Sequence, residues 1–252
     1  MPSIGSASTH LCSRCVRGRI VGKGVDRPVK PENAHYSQLV EILPDEMPWQ
    51  DNYKLLTGSI VPRPIAFVST RSAGGVNNLA AFSFFNGVCP KPFIVAFAPM
   101  RRGTTGEKKD TLRNIEQTGE FVVNIVNESL VAPMSRTNPE FASEVDEFEM
   151  AGLTPVPSDL VTPPRVLESP IQMECKLVQV VELGQEAGAG SLVLGHVIKM
   201  HISESVYVDG KINPDALQAV GRMAGDEYAR ITDRFPFRRS TLEDFTPPGE
   251  KG

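Results

Sequence analysis

The sequence predicts a mainly β domain, a small barrel with helices on its outside, and three observations predict it. Two short apolar runs, residues 64–68 and 93–98, are partly β-branched or aromatic and are bounded by proline, as buried strands are. Two longer runs, 171–177 and 192–202, alternate with the two-residue period of a strand. The helical signals are short and irregularly placed, so antiparallel hairpins dominate and a doubly wound sheet fits less well. The strands number roughly six or more.

Each element follows in order. Tyr36, Leu39, Val40 and Leu43 have helical spacing, stopped by Pro44 and Pro48, and Trp49, the only tryptophan, anchors this segment on the domain. A helix over 50–56 leads into the first strand. Residues 70–86 read as a turn-rich connection, with turn signals at Gly74-Gly75 and Asn77-Asn78. Loop 101–109 meets a helix that Asp110 or Thr111 caps and Gly119 ends, with Leu112 and Ile115 on one face. Residues 121–126 form the next strand. Stretches 127–134 and 139–150 look helical, the second acidic on its exposed side. Pro155, Pro157, Pro163 and Pro164 mark a surface excursion.

In 171–177, Ile171, Met173, Cys175 and Leu177 alternate with Gln172, Glu174 and Lys176, a half-buried strand. In 192–202 the even positions, His196 among them, form one apolar face, and 184–190 closes a hairpin between the two. Gly188-Ala189-Gly190 lacks the third glycine of a dinucleotide fingerprint and precedes a strand, so it is no nucleotide loop. A short helix follows Pro214 within 213–223. One domain spans 36–239, with a flexible tail over 240–252.

Composition bounds the function. With 252 residues and 40% hydrophobic content, the chain can bury one substantial core. It has no apolar run of about 18 residues, so no membrane span is expected. A net charge of −4 gives no general reason to expect nucleic acid. That charge is uneven. Residues 1–30 carry Arg14, Arg17, Arg19, Lys23, Arg27 and Lys30 against Asp26, a net of +5, which leaves −9 for the remainder.

Residues 1–35 therefore read as a disordered basic extension. The alternative is a mitochondrial targeting segment, against which the glycines at 18, 22 and 24 argue. Without a secretory apolar region, a cytoplasmic location is the first expectation. Cys12-x-x-Cys15 has only His10 nearby to complete a metal set. Cys89 and Cys175 read as buried, reduced thiols.

No hydrolytic apparatus is evident. The folded body has only His196 and His201, there is no Gly-x-Ser-x-Gly, and no His/Asp/Glu cluster has metal spacing. Lys109-Asp110-Thr111 opens a helix whose free N–H groups attract anions. Lys109 and the Thr111 hydroxyl suit a phosphate, while Asp110 would repel one and is assigned to capping. The other reading is an ordinary capped helix with solvated lysines. Arg63, held between two prolines, either binds an anion or is a structural arginine at the barrel rim. Ser69 and Thr70 end the first strand, where hydroxyls could face a ligand. The rings of Phe82, Phe84 and Phe85 pack either a core or a flat aromatic ligand.

Three ordered motifs, KLLTGSIVPRPIAFVST at 54–70, NLAAFSFFN at 78–86 and KDTLRNIEQTGEFVVNIV at 109–126, resemble the flavin reductase-like, FMN-binding split-barrel family. Flavoredoxins and the reductase components of two-component monooxygenases are members. The similarity runs from about Tyr53 to about Phe237. It implies a Greek-key split β-barrel, normally a homodimer with FMN near the subunit interface, FAD being less favoured. It puts Lys109, Asp110 and Thr111 at the phosphate side. Asn78, Ala81, Ser83, Phe84, Phe85 and Asn86 then line the ribityl chain and ring. Gly221-Arg222-Met223-Ala224-Gly225 with Tyr228 resembles the family's C-terminal segment, with Ala224 where glycine is usual. Arg222 is then placed at phosphate or the nicotinamide dinucleotide, and Tyr228 beside the ring.

The function so implied is NAD(P)H-dependent flavin reduction, with electrons passed to a small-molecule acceptor or a separate monooxygenase. A flavin brings its own hydride chemistry, so no catalytic acid or base need be assigned. The alternatives are an FMN-binding electron carrier without NAD(P)H turnover, or a barrel for another planar cofactor such as haem, with His196 or His201 as axial ligand.

Overall fold

The structure, a computed structural model, describes residues 39–241 and 244. The basic extension over 1–35, with its Cys-x-x-Cys, and nearly all of the tail over 240–252 lie outside the described residues. The chain divides into one unit ending at Leu43 and another starting at Pro44. In the first, residues 39–43 are exposed and not helical. So short a run cannot nucleate a helix unaided, and Pro44 disfavours helical backbone at Leu43.

In the second unit, helix α1 (Trp49–Ser59) precedes the strands β1 (Ala66–Arg71), β2 (Asn77–Phe82), β3 (Phe85–Pro90) and β4 (Phe93–Phe97). Helix α2 (Asp110–Thr118) ends at Gly119, whose φ of 71° is left-handed, and leads into β5 (Glu120–Ile125). Helices α3 (Val131–Ser135) and α4 (Glu147–Ala151) and the short pair β6 (Pro155–Val156) and β7 (Arg165–Val166) follow. The long hairpin is β8 (Ile171–Glu182) with β9 (Ser191–Ile202). The chain closes with β10 (Tyr207–Val208), β11 (Lys211–Ile212), α5 (Pro214–Leu217), β12 (Val220–Arg222) and β13 (Tyr228–Arg230).

Seven strands make one antiparallel sheet in the order β2-β1-β5-β8-β9-β4-β3. Its two edge strands, β2 and β3, are consecutive in sequence and joined only by Ser83-Phe84. The sheet must therefore curl until its edges meet. They meet without pairing, which is what splits the barrel. Phe82 of β2 reaches Phe97 of β4 at a ring separation of 5.1 Å, and Phe97 reaches Phe121 of β5 at 5.5 Å. Leu112 and Ile115 of α2 join this inner core. A second core, with Phe67 and Leu79 facing Leu130, Met134 and Phe148, packs α3 and α4 against the outside of β1 and β2. With both faces of β1 covered, its apolar run shows no alternation.

Several expectations change. Residues 70–86 are mostly strand, and Asn77-Asn78 opens β2 where a turn was expected; the turn is at Gly75, φ 89°. Of the stretch 139–150 only 147–150 is α-helical, and of 127–134 only 131–134, after a 3-10 turn over 128–130. The helix within 213–223 ends at Leu217, because Gln218 is left-handed, and β12 follows. In β9 the buried positions are odd, Val193, Gly195 and Val197, while His196 is exposed. The reason is Gly195, which holds a core position because the Phe121 ring fills it; a Cβ there would lie 2.2 Å from Cζ. A register shift opposite Glu174 and Cys175 then returns Met200 to the inner core. Glu174, expected to face solvent, is buried, as is Cys175, whose thiol pKa burial pushes up. Cys89 is only half-buried, on edge strand β3.

Candidate functional site

Two clusters hold the residues singled out from the sequence, and β2 connects them. The first lies at the start of α2. Thr111 Oγ1 donates to Asn78 Oδ1 at 2.7 Å, and Thr70 Oγ1 donates to the same oxygen at 3.1 Å. Asn114 Nδ2 donates to Thr70 Oγ1, and Asn78 Nδ2 donates to Glu147 Oε1 at 2.7 Å. This buried network fixes α2 and α4 onto β1 and β2.

Above it, the N–H groups of Asp110 and Thr111 have no hydrogen-bond partner among the described residues. Asp110 does not cap the helix. Its carboxylate accepts from Arg102 at 3.0 Å, from Arg113 and from Ser143 at 2.7 Å. Burial would raise its pKa, but Ser143, Arg113 and Arg102 outweigh that and hold it below the usual carboxylate range. The acid expected to repel an anion is thus neutralised by two arginines.

Lys109 is different. No carboxylate lies within 4.0 Å of its ammonium among the described residues, and the nearest aromatic feature is the Phe82 ring, 6.0 Å to the centroid. Burial pulls its pKa below the ordinary lysine value, with Glu140 opposing and Arg102 adding to the effect. A desolvated cation without a direct ion pair among the described residues, two free N–H groups and a positive helix end make a donor set that fits a phosphate.

Glu147, at the edge of this pocket, was missed from the sequence. Its carboxylate also accepts from the Leu79 N–H at 3.1 Å. Burial pushes its pKa up to about 7, with Asp110 adding and the Leu79 and Asn78 bonds opposing. A carboxyl raised in the folded state stabilises the fold below its unfolded pKa, and that stability is lost as pH rises through the folded value. We expect the native chain to lose roughly 2–3 kcal/mol between about pH 4.5 and pH 7 from this group. Glu147→Gln should flatten that part of the Tm-against-pH curve. Parallel curves for the two proteins would count against it.

The second cluster forms around Arg63. Its buried guanidinium donates to the carbonyls of Thr57, Ile60 (2.9 Å) and Met223 (2.9 Å) and to Ser83 Oγ (3.3 Å). Its backbone pairs with Arg222. Burial and the Arg222 charge pull its pKa down, with Tyr53 opposing. Arg63 therefore ties the end of α1, the Ser83-Phe84 corner and β12 together. Phe84 meets the Tyr53 ring edge-on at 6.3 Å, and the Arg222 guanidinium lies over the Tyr228 ring at 4.6 Å. Between Asn78 and Ser83, β2 spans roughly 17 Å.

Other predicted residues separate. Strand alternation turns Ser69 away from Thr70, and its hydroxyl donates to the Pro164 carbonyl. Ala81 packs in the outer core, and Ala80 shares the pocket with Asn78 and Lys109. Phe85 packs on the inner core and Asn86 is exposed. Elsewhere, ligand atoms of Asp159, Glu174 and His201 converge within 4.8 Å, a grouping without any spacing signal in sequence. Glu174 is already bonded by His201 and by the Asp159 and Leu160 N–H groups, and Lys199 pairs with Asp159.

Comparison with known proteins agrees with the architecture. The family model "Flavin reductase like domain" matches residues 57–214. A protein of Halalkalibacterium halodurans is 38% identical over 205 residues, covering 81% of this chain and 98% of that one. The crystal structure of nitrilotriacetate monooxygenase component B from Bacillus cereus is 40% identical, with TM-score 0.76, over 79% of this chain and 99% of that one. The 2-nitrobenzoate 2-nitroreductase of Pseudomonas fluorescens is 31% identical, with TM-score 0.71, over 83% of this chain and all of the other. Flavoredoxin of Desulfovibrio vulgaris, at 23% identity and TM-score 0.61, shares the fold. With its sheet curled into a split barrel and its sequence matched over most of its length, the chain belongs to the flavin reductase-like family.

Proposed function

We propose that the chain binds FMN and acts as an NAD(P)H-dependent flavin reductase, passing electrons to a small acceptor or a partner monooxygenase. The unpaired, desolvated Lys109 ammonium beside two free N–H groups carries this reading, because it suits the ribityl phosphate. Thr111, Asn78 and Thr70 hold the helix start in place. Ser83, Phe84 and Phe85, with Asn86 and the Ala81 backbone, line the ring end, and Arg222 and Tyr228 flank it. Arg63 and Ser69 support the site by positioning it.

When bound, the flavin supplies the hydride chemistry. The chain orients it, screens its phosphate and leaves one ring face open to a nicotinamide. A monooxygenase partner is supported by the 40% identical Bacillus cereus protein, named as a monooxygenase component. A homodimer is supported by β3, an edge strand with Val88 exposed, beside β4 with Phe93 exposed. A cytoplasmic location suits the free thiols of Cys89 and Cys175. Among the described residues no helix is long and apolar enough to cross a membrane.

The test is the visible spectrum of the purified chain, followed by identification of the heat-released cofactor. Oxidised-flavin bands that bleach with NADH or NADPH support the reductase. Bands that persist favour the electron carrier. A colourless chain that takes up no added FMN removes both readings. Sedimentation velocity reads the dimer.

A further inference from the structure

A second cavity among the described residues lies apart from the phosphate pocket. It measures about 580 Å³, a size suited to a small molecule. Trp49, Tyr53 and Leu56 of α1 line it together with Phe84, Met100 and Leu183. We propose that this cavity binds an uncharged, planar aromatic molecule of quinone class, and that this molecule is the acceptor of the flavin's electrons. The second half of the proposal rests on the flavin reading above.

Charge argues for that class. The lining contains no Lys, Arg, His, Asp or Glu, and its polar side-chain groups are those of Asn52 and Ser59, the Tyr53 hydroxyl and the Trp49 indole N–H. A dinucleotide, a second flavin phosphate or an aromatic carboxylate would enter without a counter-charge, at a desolvation cost that nothing in the cavity offsets. A neutral ring carries no such cost and gains aromatic contact. The walls are also preset. A Cβ on Gly188 would lie 2.4 Å from the Trp49 ring, so the indole rests directly on the loop backbone, and Phe84 and Tyr53 meet edge-on at 6.3 Å. Position argues for the role. Phe84 belongs both to the cavity wall and to the corner assigned to the flavin ring. Reduction of a quinone there consumes the hydride that the reduced flavin gives up and one proton from water, leaving a hydroquinone and oxidised flavin.

Trp49 is the only tryptophan, so binding can be read without flavin. Flavin-free full-length protein is titrated with 2-methyl-1,4-naphthoquinone, and with 1,4-naphthoquinone-2-sulfonate as the charged comparison. Trp49 emission is followed after correction for absorbance. We expect saturable quenching by the neutral quinone and half-saturation at least about tenfold weaker for the sulfonate. Leu56→Glu, at an exposed position that should not disturb folding, should weaken neutral quinone binding by about tenfold or more with FMN affinity retained. Three results would overturn the proposal. One is no saturable quenching. Another is equal affinity for the sulfonate. The third is unchanged quenching in Leu56→Glu together with conversion of a dimer to a monomer, which would assign this face to a second copy of the chain. If quenching behaves as expected but the chain holds no flavin, the cavity assignment stands and the acceptor role falls with the flavin reading.

Discussion

We expect Lys109→Ala to lower affinity for FMN about 10- to 100-fold under the proposed reading, the worth of one charge-assisted phosphate contact of roughly 1.5–3 kcal/mol. Fluorescence titration of flavin-free protein with FMN measures it. The same substitution leaves Tm unchanged or slightly raised, because the ammonium is desolvated and has no ion-pair partner among the described residues to lose. That combination separates a ligand-binding lysine from a structural one, whose loss lowers both quantities. Lys109→Arg should recover part of the affinity, since it keeps the charge but changes its reach. An affinity unchanged in Lys109→Ala would remove Lys109 from the phosphate site and leave the helix end as an ordinary one.

Arg63→Ala has the opposite signature. It removes one cation from four oxygens, three of them backbone carbonyls, on elements otherwise far apart in sequence. Orphaned acceptors and the lost packing together cost about 3–5 kcal/mol, a Tm fall on the order of 10 °C for a domain of this size. FMN affinity at low temperature should fall much less than in Lys109→Ala. Arg63→Lys should rescue little, because one ammonium cannot spread over acceptors that a planar fork reaches. A Tm within a degree or two of the native protein would show that the clamp is dispensable.

The fold class was readable because its main signals are local. Proline-bounded apolar runs gave β1 and β4, and the left-handed Gly119 fixed the end of α2. What failed was set by distant residues. Gly195 breaks the apparent phase of β9 because Phe121 occupies its side-chain space, and no pattern within β9 announces that. Asn77-Asn78 resembles a turn, yet Asp146, the N-cap of α4, and Glu147, its first residue, bond both amides and hold them in β2. Glu174 was placed in solvent by alternation, but the Asp159 and Leu160 N–H groups and His201 bury it.

The site divides in the same way. Lys109-Asp110-Thr111 and Asn78, which the structure brings together, sit in contiguous motifs, and Asn114, three residues beyond Thr111 on the same helix face, is readable by the same logic. Glu147, Arg102 and Glu140 reach the pocket only through tertiary contact and carry no spacing signal. Asp110 was read as a cap, and the arginines that claim its carboxylate had no part in that local reading.

The strand order has a further bearing, on how the chain reaches this state. Three of the six pairings in the sheet join distant segments: Phe67 with Asn124, Phe121 with Cys175, Ile94 with His196. A chain that must close such large loops before its contacts reward it folds in milliseconds to seconds rather than microseconds. Until β9 docks on β4 and brings the two halves of the sheet together, the edge strands β2 and β3 that flank Ser83-Phe84 are held apart and can pair with another chain. The corner assigned to the flavin ring is thus among the last features to exist and the most exposed to intermolecular error. Excess FMN during refolding should draw the chain past that stage, because it rewards only the closed barrel.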